Sequence, residues 1–298
     1  MAHDRAGYPD ISGGPDGPVR VELDGSHPGV ADVVYRRRRD SIAALAVSWR
    51  PGQPVPLVVY QPREIGTWAS VNAGLGPLWL RLAARRFVDA VEELALPARE
   101  VPQLSEVSRR LSLLTGFRYQ PVAGLAPLRT FYAAFAEGVF WSTQYLRHHS
   151  SPLYTPEPDV CHEVLGHAHH LADPAIADLY RAVGAAATRV GSEDALVFLS
   201  RVFWHTLEFG VVIEDGELNA YGAGLLSSVG ELRYFRRAAI RPLDWTAMGS
   251  ATYDITRYQS VLYCAPSMAA LIDELGCWLQ AYDDDVAARA LRRPRRSA

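Results

Sequence analysis

The sequence predicts a mainly α fold with a small β component (α+β) in a single domain, on three observations. Large apolar residues recur at helical spacing along most of the chain. Strand signals are few, and the clearest is a hairpin pattern around Asp215-Gly216. Neither an internal repeat nor a long low-complexity linker divides the 298 residues.

Residues 1–19 are rich in Gly, Pro and Asp and offer little apolar surface to offset ordering entropy, so a tail is expected there. The domain is expected over 20–284, and 285–298, with its basic end from Arg292, as a second tail. Pro102 opens a helix carrying Leu104, Val107, Leu111 and Leu114, and Gly116 stops it. Leu128, Phe131, Phe135, Val139 and Tyr145 predict a helix from Leu128 to Arg147. Pro152, Pro156 and Pro158 hold the next stretch extended. A buried helix is expected over Asp194–Phe209, with Ser200, His205 and Glu208 as its polar exceptions. Strands are expected at Val211–Glu214 and Glu217–Tyr221, joined by Asp215-Gly216, and again over Tyr258–Cys264.

Composition excludes several functions. A net charge of −3 gives no electrostatic footprint for nucleic acid, and apolar runs such as Ser41–Ser48 are far too short for a membrane span. No signal-peptide pattern follows Met1, and Cys161, Cys264 and Cys277 lack metal-type pairing, so a cytoplasmic protein with reduced thiols is expected. All 30 basic residues are arginine. Lysine Schiff-base chemistry, pyridoxal phosphate enzymology and a phosphate loop ending in Gly-Lys are therefore impossible. Arginine must carry any recognition of anions.

Chemistry concentrates between Pro158 and His170, which holds four of the nine histidines. His162 and His167 are five residues apart, about 140° around an ideal α-helix, so they do not share a face as in a zinc-protease helix. Gly166 predicts that the helix ends or bends there, swinging His167 back toward His162. Glu208, among Phe203, Trp204, Leu207 and Phe209, is the natural third ligand, because an unpaired buried carboxylate is costly. Two histidines and a carboxylate on one face, with other positions open, suit iron(II) for O2 chemistry. His169 and His170 are expected at the surface. Each residue alone also has a plainer reading: a surface histidine cluster, a satisfied core carboxylate, a solvated Arg147.

The segment Tyr154-Thr-Pro-Glu-Pro-Asp-Val-Cys-His-Glu-Val-Leu-Gly-His167 resembles the metal-binding signature of the pterin-dependent aromatic amino acid hydroxylases. Phe203-Trp-His-Thr-Leu-Glu-Phe-Gly210 and Ala220-Tyr-Gly-Ala-Gly-Leu-Leu-Ser-Ser-Val-Gly-Glu231 resemble the next two blocks of that family, in order. His27-Pro-Gly29, Thr115-Gly-Phe-Arg118, Pro121-Val-Ala-Gly124 and Thr143-Gln-Tyr-Leu-Arg-His148 agree as well, so the similarity runs from Val21 to Ser267.

The resemblance implies a monooxygenase with iron(II), a tetrahydrobiopterin-like reduced pterin and O2, the metal held by His162, His167 and Glu208. It places the pterin against Phe131, with Val122, Gly124, Ala126, Glu163, Ser200 and Phe203 around it. Arg147 would grip the substrate carboxylate with its planar fork. Thr155, Pro156, Ser227 and Ser228 would complete the amino-acid clamp, and Trp204, Phe209 and Ile255 the ring pocket. Glu163, Thr155 and Trp204 stand nearest the chemistry. The chain departs from the family at Phe203, often tyrosine, at Trp141, and at Ala168-His169-His170, usually Val-Pro-Leu. A monomer or small homo-oligomer is expected.

Trp204 matches the phenylalanine and tyrosine hydroxylases, and apolar Ile255 offers nothing to a phenol hydroxyl. Phenylalanine is thus the expected substrate and tyrosine the product, a phenylalanine 4-monooxygenase-like reaction. Tryptophan hydroxylation stays open, since Ile255 also resembles that branch. Outside the class, a zinc hydrolase with Glu163 as base, or a metal-binding protein without turnover, are the competing readings.

Overall fold

A computed structural model describes residues 10–13, 17–254 and 257–292. Helices dominate, and the sequence chemistry fixes where many begin. Asp32, Asp173, Ser192 and Ser267 each accept backbone N–H bonds at the starts of Val33–Ser48, Pro174–Arg189, Glu193–Phe203 and Met268–Ala281. The helix Pro62–Leu82 opens on proline, and Glu64 reaches back to the Gln61 N–H at 2.7 Å. The helix expected after Pro102 runs Leu104–Leu114, burying Leu104, Val107 and Leu111.

The strands are short: β1 (Asp10–Ser12), β2 (Arg20–Glu22), β3 (Arg118–Pro121), β4 (Val139–Ser142), β5 (Val211–Glu214), β6 (Glu217–Ala220), β7 (Ala239–Pro242) and β8 (Val261–Ala265). β1 pairs with β2, β3 lies parallel to β4, and the largest sheet has the order β6-β5-β8-β7. The hairpin expected at Asp215-Gly216 is β5-β6, with φ of 53° and 80° at the two turn residues. The strand expected over Tyr258–Cys264 is β8, displaced slightly along the chain.

One expected helix divides into three parts. It stops at Ala136, Gly138 turns the chain at φ 65°, and Val139–Ser142 becomes β4, in register with β3 from Arg118 opposite Val139. Val139, Phe140 and Ser142 are all buried, so this strand lacks alternation and its apolar run imitates helical spacing. Arg147 therefore lies beyond β4 on an irregular segment, not at a helix end.

Both expected tails contain ordered elements. β1 falls within 1–19, and all but the first residue of the helix Asp284–Leu291 falls within 285–298, capped by Asp283 and burying Ala287. The carboxylate of Asp284 accepts the backbone N–H groups of Gly191 and Ser192, which ties this last helix to the domain. Phe135, Phe140, Tyr180 and Phe203 form an aromatic layer in the main core, directly against His167.

Candidate metal centre and active site

The segment bearing both histidines starts as an α-helix at Val160, where the Asp159 carboxylate accepts the His162 N–H. Gly166 neither ends nor bends it. The chain passes into a π-helix over Glu163–Ala168, and the wider turn brings residues five apart onto one face. Tyr119 donates its hydroxyl to the Glu163 carbonyl at 2.8 Å, pinning the widened turn. Gly166 is needed for a different reason: a Cβ there would stand 2.7 Å from the Ala223 carbonyl oxygen. Glu208 ends a second π-helical stretch, Trp204–Glu208, that continues Glu193–Phe203.

The two π-helical segments make three donors converge. His162 Nε2 lies 3.1 Å from His167 Nε2, His167 Nε2 lies 2.9 Å from Glu208 Oε1, and His162 Nε2 lies 3.9 Å from Glu208 Oε2. Metal bonds of about 2.0–2.2 Å at right angles put neighbouring donors roughly 3 Å apart, so this spacing fits one octahedral cation on a three-donor face. The Nδ1 atoms are engaged elsewhere, His162 with Ser227 Oγ at 2.9 Å and His167 with the Tyr180 hydroxyl at 2.8 Å. Glu208 Oε2 is buried with no hydrogen-bond partner, as a carboxylate oxygen awaiting a cation would be.

Charge states agree. Burial raises the Glu208 carboxyl, but His167, through its charge and its hydrogen bond, brings it down to about 2. Burial pushes His162 down to about 4, leaving a neutral imidazole with a lone pair to give. Glu163 also lies within 4.8 Å of the two histidines. Burial and the Glu208 charge push its carboxyl well above the usual carboxylate range.

Beside the metal face lies a cleft lined by Val122, Gly124, Leu125, Ala126, Phe131 and Glu163, with Trp141, Thr143, Tyr145 and Pro158 beyond. Five of the expected pterin residues are brought together there. Ser200 and Phe203 are not among the lining: Ser200 donates to the Val197 carbonyl, and Phe203 lies parallel to His167 in the aromatic layer. A reduced pterin fits a cleft of this chemistry, lined by aromatic and apolar residues together with the Glu163 carboxyl group.

Arg147, expected to grip the substrate carboxylate, is buried and paired with Asp159 through Nε and Nη2, which leaves Nη1 outside the pair. Trp204 stacks on Tyr253 at 3.9 Å and has Phe209 beside it at 4.5 Å. Thr155 donates to the Glu157 carbonyl beside buried Pro156, and Ser228 caps the helix Val229–Tyr234. Ser227 sits on the Nδ1 side of His162, bonded to that ring, so its hydroxyl is already engaged. Ile255 lies outside the described residues.

His169 and His170 are buried, not at the surface. His169 packs edge-on to Trp79 and Phe87, and His170 bonds Tyr180 and the Tyr221 carbonyl. The helix continues past His167 into the core, which a helix ending at Gly166 would not allow. Sequence reasoning also missed Tyr180 and Asp159, whose partners lie 13 and 12 residues away along the chain.

A family model described as biopterin-dependent aromatic amino acid hydroxylase matches residues 18–288. The chain is 45% identical over 269 residues to the phenylalanine 3-hydroxylase of Streptomyces coeruleorubidus, covering 90% of this chain and 96% of that protein. It is 42% identical over 260 residues to the tyrosine 3-monooxygenase of Canis lupus familiaris, covering 85% of this chain but only 52% of that longer protein. Among solved structures, the Chromobacterium violaceum phenylalanine hydroxylase with bound iron(III) and 7,8-dihydrobiopterin superposes with a TM-score of 0.71 at 30% identity, over 76% of this chain and 84% of that one. Fold, donor triad and cleft thus agree with the family model across nearly the whole chain, which belongs to the biopterin-dependent aromatic amino acid hydroxylases.

Proposed function

We propose that this protein hydroxylates the ring of phenylalanine. The observation that carries the reading is the adjacency of three elements: an open triad of His162, His167 and Glu208, a cleft walled by Phe131, and a buried arginine on the segment leading to the metal helix. When bound, iron(II) and a reduced pterin supply the activation of O2 that ring hydroxylation requires.

The residues divide the remaining work. His162, His167 and Glu208 would hold the metal, and a set of only three protein donors leaves room for small ligands. Phe131 offers a ring face to the pterin, and Glu163 places a carboxyl group in the wall of the same cleft. Arg147, already charged and oriented by Asp159, receives the amino-acid carboxylate without further ordering, framed by Thr155, Pro156 and Ser228. Trp204 and Phe209 confine the ring.

Hydroxylation at position 4 gives tyrosine. Position 3 is the second reading, favoured by the 45% identity to a protein named for that position along nearly its full length. Iron(II)-loaded protein, a reduced pterin, O2 and phenylalanine, chromatographed against 3- and 4-hydroxyphenylalanine standards, tests both. No hydroxylated amino acid with phenylalanine, tyrosine or tryptophan would overturn the proposal.

A further inference from the structure

Tyr180 is fully buried, and its hydroxyl touches two imidazoles: His167 Nδ1 at 2.8 Å and His170 Nδ1 at 3.1 Å. The other nitrogen of His170 faces the Tyr221 backbone carbonyl. A carbonyl oxygen only accepts, so His170 Nε2 must carry a proton. The ring is buried with no carboxylate on either nitrogen, and burial disfavours the imidazolium, so Nδ1 holds a lone pair. The single phenolic proton of Tyr180 then has one favourable direction, toward His170. Its oxygen is left to accept, and His167 must donate from Nδ1.

We infer that Tyr221, His170 and Tyr180 form a relay that holds a proton on His167 Nδ1, so that Nε2, the nitrogen facing Glu208 and His162, is the one that gives its lone pair when a metal binds. The chain reads His167 Nδ1–H to Tyr180 O, Tyr180 O–H to His170 Nδ1, and His170 Nε2–H to the Tyr221 carbonyl. Reversing it would set the His170 Nε2 lone pair against a carbonyl oxygen. His170 is one of the positions at which the sequence leaves its family's pattern, and the structure gives that departure a use. Phe140, 4.7 Å from the His167 ring, and Phe203, parallel to it at 6.5 Å, hold the imidazole in the plane the relay demands. Tyr180 and His170 act through His167 and are positioning residues. The inference rests on the metal centre and is independent of which amino acid is hydroxylated.

Nitrogen-15 imidazole spectra of the zinc-loaded full chain test it, together with cobalt(II) affinities from chelator competition. His170 is expected as the Nε2–H tautomer and the other ring of the pair, His167, as Nδ1–H. Tyr180→Phe and His170→Leu are each expected to weaken cobalt binding about ten- to a hundredfold with unchanged far-ultraviolet dichroism. His170 found as Nδ1–H in the unaltered protein would overturn the relay even if a variant folds poorly. Unchanged cobalt affinity in a folded Tyr180→Phe protein would overturn it too, while leaving the metal centre intact. Failure of the unaltered chain to bind any divalent metal would instead remove the metal centre and the relay together.

Discussion

Arg147 and Asp159 meet as a buried two-pronged pair, Nε to Oδ2 at 3.0 Å and Nη2 to Oδ1 at 2.7 Å, while Asp159 Oδ1 also accepts the His162 N–H. One carboxylate thus orients the proposed substrate anchor and starts the helix that carries the metal. Arg147→Ala leaves that carboxylate buried without its cation and should cost about 3–5 kcal/mol of stability, measured by urea unfolding. It should also raise the KM for the amino acid steeply, by roughly 2–5 kcal/mol of lost binding. An unchanged KM would place the carboxylate site elsewhere.

The same pair predicts acid sensitivity. Burial opposes the Asp159 charge, but Arg147 holds the carboxyl below its usual 3.8. Because the folded value is the depressed one, the contribution is complete above about pH 4 and is lost as pH falls below that. Acid unfolding of Asp159→Asn should be shallower than that of the unaltered protein in this range.

Glu208→Ala removes the only charged donor of the triad. Iron content per chain, measured by elemental analysis after desalting, should fall to background, and pterin-coupled hydroxylation should vanish. Normal iron with full activity would refute the ligand assignment.

Glu231 behaves in the opposite sense to Asp159. Burial raises its carboxyl to about 7, against a lowering hydrogen bond from the Gln259 N–H. The native state therefore binds more protons than the unfolded chain between about pH 4.5 and 7, and stability should decline across that window by up to about 1.4 kcal/mol per unit. Glu231→Gln should flatten this decline in chemical unfolding at stepped pH.

Trp204, the proposed wall of the ring pocket, stacks on Tyr253 and lies beside Phe209. Trp204→Phe should open the ring pocket and shift specificity toward tryptophan over phenylalanine by about 1–3 kcal/mol. Side-by-side kcat/KM values for the two amino acids check it. A ratio that does not move, or an unaltered protein already tenfold better on tryptophan, would mean that Trp204 does not set the choice.

Sequence by itself determined the donors: which imidazoles and which carboxylate, the absence of lysine, the Asp215-Gly216 turn and the helix that follows Pro102. These follow from side-chain chemistry and local backbone preference, which travel with the residue. It also pointed to five of the seven proposed pterin contacts, because they lie within short, distinctive blocks. Only tertiary structure decided how His162 and His167, five residues apart, come to share a face: packing of Gly166 against Ala223 and the Tyr119 bond accompany a π turn that no local preference favours. It likewise turned Val139–Ser142 from expected helix into β4, since a strand buried on both faces carries no periodicity to read. Asp159, Tyr180 and the buried His169 and His170 entered the site for the same reason. A hydrogen-bond partner is chosen by where the chain returns in space, and that position is set by the whole core.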